Sequence, residues 1–393
     1  MNEAVTTRHE MASFLNERMN RTYLDLSQGR DLEPDTALVK TYLIEAHLDE
    51  GAPKADVENV LERSFRQEVL PEARSWAMKP TKDDSLHYVT AKRNREEVGI
   101  YVDSANRRFW LLHSMNSSVA LDSIIRKVVL GTPELDRAWI PAELLTEASK
   151  RGAFRGLSLD YDRRKVPDVD FDAPETVAFL KMQLWGNKAA EVLKLLSQKG
   201  AFPHQTTLSK VKVKFWLGDI DRGEFAIDDI KFNGKVTARG TSFQSHVSLV
   251  GDVYGRYAEA IRSLERRVSL NWERQERAWS LRGGPVSLLL EQPIPDLSRF
   301  CHKVFSCSSP FRLWGAPTSV SPQCLRICAI DLHVGSRITF EVSPRLIRVY
   351  LPRGSCGNSV MRFYTNLQHY YDSLVKAQDP DGGPAFEFQP ADG

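Results

Sequence analysis

Residues 99–128 have the sequence GIYVDSANRRFWLLHSMNSSVALDSIIRKV, and this stretch predicts how the chain is built. Two β-branched and aromatic runs, Gly99–Val102 and Arg108–Leu112, predict strands separated by a turn at Ser104–Asn106. The polar loop Ser114–Ser118 follows them. Apolar residues then recur at three- and four-residue steps, which predicts a helix with one buried face: Leu121, Ile124, Ile125 and Val128. The predicted order is strand, strand, helix.

The same order recurs twice farther along the chain. Short strand patterns end at the polar loops Gly240–Ser245 and Gly354–Ser359, and each loop leads into a helical pattern. Consecutive hairpins followed by helices are typical of antiparallel sheets in an α+β architecture. We therefore predict an α+β fold in which antiparallel sheet blocks are built from repeated strand–strand–helix units.

The first 80 residues carry helical patterns and no strand signal. Met11, Leu15 and Met19 lie on one predicted helical face, and further helices are predicted at about 35–48 and 55–70. Other helices are predicted at 133–150, 174–184 and 187–199. Four segments result: a helical N-terminal region at 1–80, a first α+β block at 81–200, a second block with a long helix at 201–284, and a C-terminal block with a flexible tail at 285–393.

Composition limits the class of protein. The 393 residues include 53 Lys and Arg against 51 Asp and Glu, and 42% are hydrophobic. These values are typical of globular proteins and exclude collagen-like, disordered and polybasic chains. No stretch approaches the roughly 18–20 apolar residues of a membrane helix, and the N-terminus lacks the apolar core of a signal peptide. Five irregularly spaced cysteines suit a reducing compartment. We expect a cytoplasmic protein without membrane contact.

Several basic residues lie close to aromatic residues and could contact nucleic acid. Lysines alternate with apolar residues on one predicted strand, which spaces their charges by roughly 7 Å. That spacing suits a phosphate backbone, although a solvated sheet face would have the same pattern. The predicted nucleic-acid-binding residues are Lys210, Lys212, Lys214, Arg107, Arg108, Arg163, Arg164 and Lys165. Backbone N–H groups at the three polar loops could also bind phosphate, or their Ser, Thr and Asn residues could simply cap helices.

One acidic segment has the spacing of a metal-dependent nuclease. Asp219 or Asp221 is followed by Asp229 and, two residues later, by Lys231. Carboxylates of this kind can hold Mg²⁺, and a lysine on the same strand face can position the attacking water. A polar hairpin with Asp and Gly in its turns would have the same sequence.

All cysteines fall near the C-terminus. Cys301, Cys307, Cys324 and Cys328 could form a tetrahedral zinc site, but only Cys324 and Cys328 have the usual pair spacing. Cys328 also fits a buried apolar strand, where free cysteine is a common core residue.

Three hypotheses follow, because the chain contains no Walker loop, no dinucleotide-binding glycine motif and no nucleophile elbow. The first is a non-catalytic subunit of a complex, which binds a nucleic-acid backbone or a nucleic-acid-handling protein and needs no cofactor. Protein partners are expected, and DNA or RNA is a further ligand class. The second is the Mg²⁺-dependent nuclease, and a zinc site is a separate alternative. The third is a scaffold that contacts only protein, through Trp272 and Trp279 on one helical face.

Overall fold

The computed structural model describes residues 6–29, 38–49, 51–66, 73–79, 81–93, 96–166, 179–186, 188–198, 206–218, 223–275 and 278–388. Helices and antiparallel sheets together form an α+β protein, as predicted. In these ranges no helix has both the length and the apolar character needed to cross a bilayer.

The helices of the described residues are, in chain order, α1 Arg8–Ser27, α2 Lys54–Ser64, α3 Ser118–Gly131, α4 Ala142–Ser149, α5 Ala189–Gln198, α6 Phe243–Val268, α7 Leu297–Val304 and α8 Gly357–Tyr370. The first ten strands are β1 Val39–Ala46, β2 Ala73–Lys79, β3 Leu86–Arg93, β4 Glu96–Asp103, β5 Phe109–Ser114, β6 Leu135–Arg137, β7 Ala153–Asp162, β8 Phe179–Trp185, β9 Leu208–Phe215 and β10 Ala226–Lys231. The other ten are β11 Lys235–Gly240, β12 Asn271–Gln275, β13 Ala278–Arg282, β14 Val286–Leu289, β15 Leu313–Trp314, β16 Pro317–Ser321, β17 Cys324–Asp331, β18 Arg337–Ser343, β19 Leu346–Tyr350 and β20 Lys376–Gln378.

The chain divides into two compact units. Unit 1 contains Met1–Ala138, Ala148–Phe154 and Val211–Gly255, and unit 2 contains Trp139–Glu147, Arg155–Lys210 and Arg256–Gly393. The sequence predicted four consecutive segments instead. The units are discontinuous because strands that are distant in sequence pair within one sheet, and local patterns carry no information on such pairings.

Unit 1 is built on a sheet with the strand order β2-β3-β4-β5-β1-β11-β10-β9, and β6 also pairs with β1. Its two faces carry separate cores. Val98, Ile100 and Val102 of β4 belong to a cluster that includes α2 and α3. Tyr101 belongs to a second cluster that includes Met11 of α1. Because side chains alternate along a strand, α1 covers one face of the sheet and α2 and α3 cover the other.

Strand β1 corrects the prediction of a helix over 35–48 and of an N-terminal region without strands. It pairs with β5 on one side and β11 on the other, and all eight of its residues are buried. A short apolar run is ambiguous between helix and strand by periodicity alone. The central position in the sheet decides the outcome.

Two other predicted helices also differ. The segment at 174–184 overlaps β8, whose residues pair with β7, and 167–178 lie outside the described residues. Residues 133–150 form β6 and the shorter α4 instead of one long helix. In both places a neighbouring strand satisfies the backbone groups that a helix would otherwise satisfy internally.

The three predicted strand–strand–helix units are all present. In each unit an antiparallel hairpin leads directly into a helix. The units are β4-β5-α3, β10-β11-α6 and β18-β19-α8.

Unit 2 contains a second antiparallel sheet with the order β15-β17-β18-β19-β14-β20, and β16 also pairs with β17. Phe340 of β18 contacts Phe305 and Phe363, with ring centroids 4.9 and 5.0 Å apart. Helix α8 is buried from Gly357 to His369 on all sides, although it carries many polar residues.

The segment that follows β20 was predicted as a flexible tail, and its first residues form a hydrogen-bonded turn at Asp379. The Asp379 carboxylate accepts hydrogen bonds from the backbone N–H groups of Asp381 and Gly383, and it forms an ion pair with Arg267. A turn held by three donors to one carboxylate is an ordered element. Residues 389–393 lie outside the described range.

Candidate functional site

Strands β12 and β13 of unit 2 form a two-stranded antiparallel ribbon that belongs to neither of the larger sheets. Trp272 lies opposite Leu281, and Arg274 lies opposite Trp279. Residues that face each other across a pair, and residues two apart on one strand, share a face. These four side chains therefore form one face, which we call the tryptophan face.

The tryptophan face is open to solvent. Trp272, Trp279 and Leu281 are 64%, 65% and 50% exposed. The opposite face is polar, and on it Arg282 forms an ion pair with Glu273 at 3.2 Å. The ribbon is therefore amphipathic, with its apolar side uncovered by the described residues.

Backbone hydrogen bonds attach the base of the ribbon to the rest of unit 2. The Leu270 N–H donates to the Leu351 carbonyl at 2.8 Å, and the Gly284 N–H donates to the Val268 carbonyl at 3.2 Å. Gly283 has φ +84°, and a Cβ there would lie 2.3 Å from the Ser269 carbonyl oxygen. Glycine is required at this position, because any side chain would push the two strands apart where they leave the core.

The chemistry of the tryptophan face is that of a binding surface. A two-stranded ribbon is only marginally stable alone, and exposed clusters of large apolar residues mark interaction sites in soluble proteins. Trp and Arg are enriched among the residues that dominate interface energies. The expectation that Trp272 and Trp279 share one helical face is wrong, but they do share a face.

The predicted lysine strand is β9, and its lysines are engaged. Lys212 is buried, and its Nζ lies 3.2 Å from an Asp229 carboxylate oxygen. Nζ of Lys214 lies 3.7 Å from the ring centroid of Phe225, and Nζ of Lys210 lies 5.0 Å from that of Trp185. β9 is also an interior strand of its sheet. The alternation of lysines and apolar residues predicted the strand correctly. The ammonium groups of the three lysines, however, do not form a row that is open to solvent.

The other predicted phosphate contacts are dispersed. Arg108 binds the buried Glu45 carboxylate at 2.6 Å, and Arg164 binds Asp162 at 2.7 Å. Arg163 is buried beneath the ring of Tyr371, whereas Arg107 is partly exposed and weakly contacts the Asp84 carbonyl. The side chain of Lys165 lies outside the description.

Protein groups cap the three helices that follow the polar loops. At α3 the Ser117 hydroxyl accepts from the Ala120 N–H at 3.4 Å. At α6 the Phe243 N–H donates to the Asn16 side chain at 2.7 Å. At α8 the Gly357 N–H donates to the Glu265 carboxylate at 2.7 Å. Protein groups therefore occupy N–H donors that a phosphate would need.

The acidic segment is described only in part. Asp229 and Lys231 lie two residues apart on β10 and share a face. Asp219 and Asp221 lie outside the described residues. Within the described part, Asp229 does not join two further carboxylate, imidazole or thiol groups at metal-binding spacing. Its carboxylate pairs with Lys212 instead.

The four cysteines of the zinc alternative do not come together. Cys301 is buried in α7, Cys307 and Cys328 are exposed, and no three of these sulfurs lie within 4.8 Å of one another. Cys324 and Cys328 both lie on β17, where Cys324 is half-buried and Cys328 is exposed. Neither fills the core position that the apolar context of Cys328 predicted.

A buried hydrogen-bond network in unit 1 was not predicted at all. Asp228 Oδ1 lies 2.7 Å from His246 Nδ1, His246 Nε2 lies 2.7 Å from the Thr41 hydroxyl, and that hydroxyl lies 2.9 Å from His113 Nδ1. The order of carboxylate, imidazole and hydroxyl matches a nucleophile triad. All four side chains are buried, however, so a substrate has no access to the hydroxyl. Burial lowers the pKa of His113 to about 3 and raises the pKa of Asp228.

A cavity of about 1070 Å³ lies beside α1 in unit 1. Tyr88 and Tyr101 form part of its wall, with ring centroids 4.6 Å apart. Lys79 and Lys82 line it together with carboxylates such as Glu97. Charges of both signs therefore line this cavity, so its electrostatics favour neither a cationic nor an anionic ligand.

Comparisons with known proteins give a relationship along nearly the whole chain. A family model described as "MJECL33-like protein" matches residues 1–383. A curated relative, "Uncharacterized protein MJECL33" of Methanocaldococcus jannaschii, is 27% identical over 410 residues, covering 94% of this chain and 93% of the relative. The similarity therefore includes both units and the tryptophan ribbon.

Proposed function

The chain belongs to the MJECL33-like protein family, and from this premise we propose that it is a non-catalytic subunit that binds a partner protein through the tryptophan face. One observation carries the proposal: Trp272, Trp279 and Leu281 lie exposed on one face of a ribbon that no described element covers. Burying these three side chains would remove a large apolar area from water, which is the main driving force of protein association.

The charges favour protein over nucleic acid as the ligand. Binding to a phosphate backbone requires several accessible cations. Three of the predicted contacts, Lys212, Arg108 and Arg164, pair with carboxylates of this same chain. The tryptophan face offers three apolar side chains and a single cation, Arg274. That composition suits an apolar groove on a partner protein.

Arg274 adds a charge requirement to the partner. It is exposed on β12, two residues from Trp272 and opposite Trp279, and it forms no ion pair with the described residues. A guanidinium beside two tryptophans is best matched by a carboxylate, which it can bind through two parallel hydrogen bonds. We therefore expect a partner protein whose apolar groove is bordered by Asp or Glu.

The test is a purification of the full chain from cells that naturally express it, with wild type compared with Trp272→Ser/Trp279→Ser. We expect the double variant to retain less than one hundredth of the partner that the wild type retains. The reason is that central tryptophans of an interface each contribute on the order of 2 kcal/mol or more to the binding free energy. Trp314→Ser is the matched control, since Trp314 is 52% exposed on β15. A photo-crosslinker at Leu281 should capture the same partner, whereas one at the equally exposed Val320 should not.

Two results would replace the proposal. The first is tight binding of labelled DNA or RNA that weakens steeply with salt and is lost on charge reversal of Lys210, Lys212 and Lys214. The second is Mg²⁺-dependent cleavage that disappears in Asp229→Ala. Partner binding that is equal in wild type and the double tryptophan variant would show that the tryptophan face is not the interface.

A further inference from the structure

A separate cavity in unit 2 combines one carboxylate with aromatic walls. It has a volume of about 290 Å³, and its lining includes Glu143, Tyr364, Phe386 and Phe388. The Phe386 ring lies 5.4 Å from the Tyr364 ring and 6.5 Å from the Phe388 ring, measured between centroids. The planes of Phe386 and Phe388 differ by only 14°. The three rings thus form a continuous aromatic wall.

The carboxylate is held in a fixed position by neutral donors. The Tyr364 hydroxyl donates to Glu143 Oε1 at 2.6 Å, and the Gln368 side-chain nitrogen lies 3.1 Å from both carboxylate oxygens. The Gln368 amide oxygen accepts from the Ala142 N–H, which fixes which end of the amide faces Glu143. Neutral donors orient a carboxylate but leave its charge in place. Among the described residues, Glu143 has no ion-pair partner.

The cation that also lines the cavity is directed elsewhere. Lys376 is largely exposed, and its Nζ lies 3.5 Å from a Glu291 carboxylate oxygen. The ammonium of Lys376 therefore has a carboxylate of its own at the rim. It is not needed to neutralise Glu143.

We propose that this cavity binds a small organic ammonium ion, with Glu143 opposite its charge and the rings of Tyr364, Phe386 and Phe388 against its alkyl groups. Aromatic faces carry a negative quadrupole and attract cations within about 6 Å, and rings arranged as a cage are used for quaternary ammonium groups. The fixed carboxylate adds a charge that a purely apolar ligand cannot use. The volume admits a molecule about the size of choline. The site is independent of the tryptophan face, so either proposal can fail alone.

The test is isothermal titration calorimetry of the full chain with choline chloride at constant ionic strength. The comparison ligand is 3,3-dimethylbutan-1-ol, which has the same shape without the charge. We expect choline to bind at least tenfold more tightly than the alcohol. Glu143→Gln keeps a hydrogen-bond acceptor for Tyr364 and should weaken choline binding about tenfold, whereas the control Glu259→Gln, which changes an exposed carboxylate of α6 that does not line the cavity, should not weaken it.

Two further variants test the proposal without changing Glu143, in case Glu143→Gln does not fold. Phe388→Leu keeps the carboxylate and should weaken choline severalfold while hardly changing the alcohol. Lys376→Met removes a repelling charge and should strengthen choline binding. Equal affinities for choline and the alcohol, or choline binding unchanged in both Glu143→Gln and Phe388→Leu, would overturn the proposal.

Discussion

Replacing Arg362 by alanine is expected to lower the free energy of unfolding by about 3–5 kcal/mol, which is typical of breaking a buried ion pair. Arg362 and Asp331 are both fully buried, and their charged groups are hydrogen-bonded. Arg362 Nε also donates to the Phe311 carbonyl at 2.9 Å, and the Ser359 hydroxyl donates to Asp331. Removing the guanidinium leaves the Asp331 charge without a counterion in the core of unit 2.

Urea denaturation followed by circular dichroism measures this loss. Arg326→Ala is the control, because Arg326 forms an exposed ion pair with Glu341 and should change stability by less than about 1 kcal/mol. The double variant Arg362→Met/Asp331→Leu should recover most of the stability, since it removes both charges. A loss below about 1 kcal/mol in Arg362→Ala would mean that the pair is not buried in solution.

Acidification from pH 7.5 to 5.0 is expected to destabilise the protein by about 4 kcal/mol through two buried histidines. Burial lowers the pKa of His113 to about 3 and that of His369 to about 4. In the unfolded chain each imidazole titrates near its ordinary value of about 6.5. Below that value the unfolded state binds protons that the folded state does not. Stability is therefore complete above about pH 7 and falls as the pH decreases towards 4, by about 2 kcal/mol per histidine at pH 5.

The measurement is the free energy of unfolding at both pH values in wild type and His369→Gln. The glutamine side chain can still donate to the Asp160 carbonyl, which His369 Nδ1 contacts at 3.0 Å. This variant should lose only about half as much stability on acidification. Burial raises the pKa of Asp228, which acts in the opposite direction, so the difference between the two proteins isolates the histidine effect. His9→Gln, at an exposed position of α1, should behave like wild type. An identical pH dependence in wild type and His369→Gln would show that His369 is not buried in the neutral form.

The sequence pattern predicted helices and strands correctly where the two-residue repeat of a strand is followed by the three- and four-residue repeat of a helix. The three strand–strand–helix units were found from alternation, polar loops and helical spacing alone. The failures lie where the neighbours of a segment decide its state. β1 contains the short apolar run Tyr42–Ile44 and could be helix or strand by pattern, but β5 and β11 pair with both of its edges. Residues 179–184 were part of a predicted helix, but in the structure they belong to β8, whose backbone pairs with β7.

The candidate sites were also predicted only in part from the local sequence. The sequence singled out Trp272 and Trp279 but assigned them to a helix, and only the register of the ribbon brings Arg274 and Leu281 onto their face. Sequence reasoning missed the cavity at Glu143, because its aromatic wall comes from α8 and from the chain after β20. No local signal links positions more than 200 residues apart.

The sequence by itself determined the α+β class, the repeated hairpin-and-helix units and the strand that carries the three lysines, because each depends on residue spacing within single strands, loops and helices that follow one another in the chain. Only the tertiary structure decided which polar groups are available for function. Lys212 was predicted to contact phosphate, but in the structure it pairs with Asp229 of β10. The Thr41 hydroxyl lies within hydrogen-bond distance of the imidazoles of His113 and His246, which are distant in sequence. The physical reason is that charge compensation and exposure depend on which distant segments pack together, and the sequence pattern of a single segment does not contain that information.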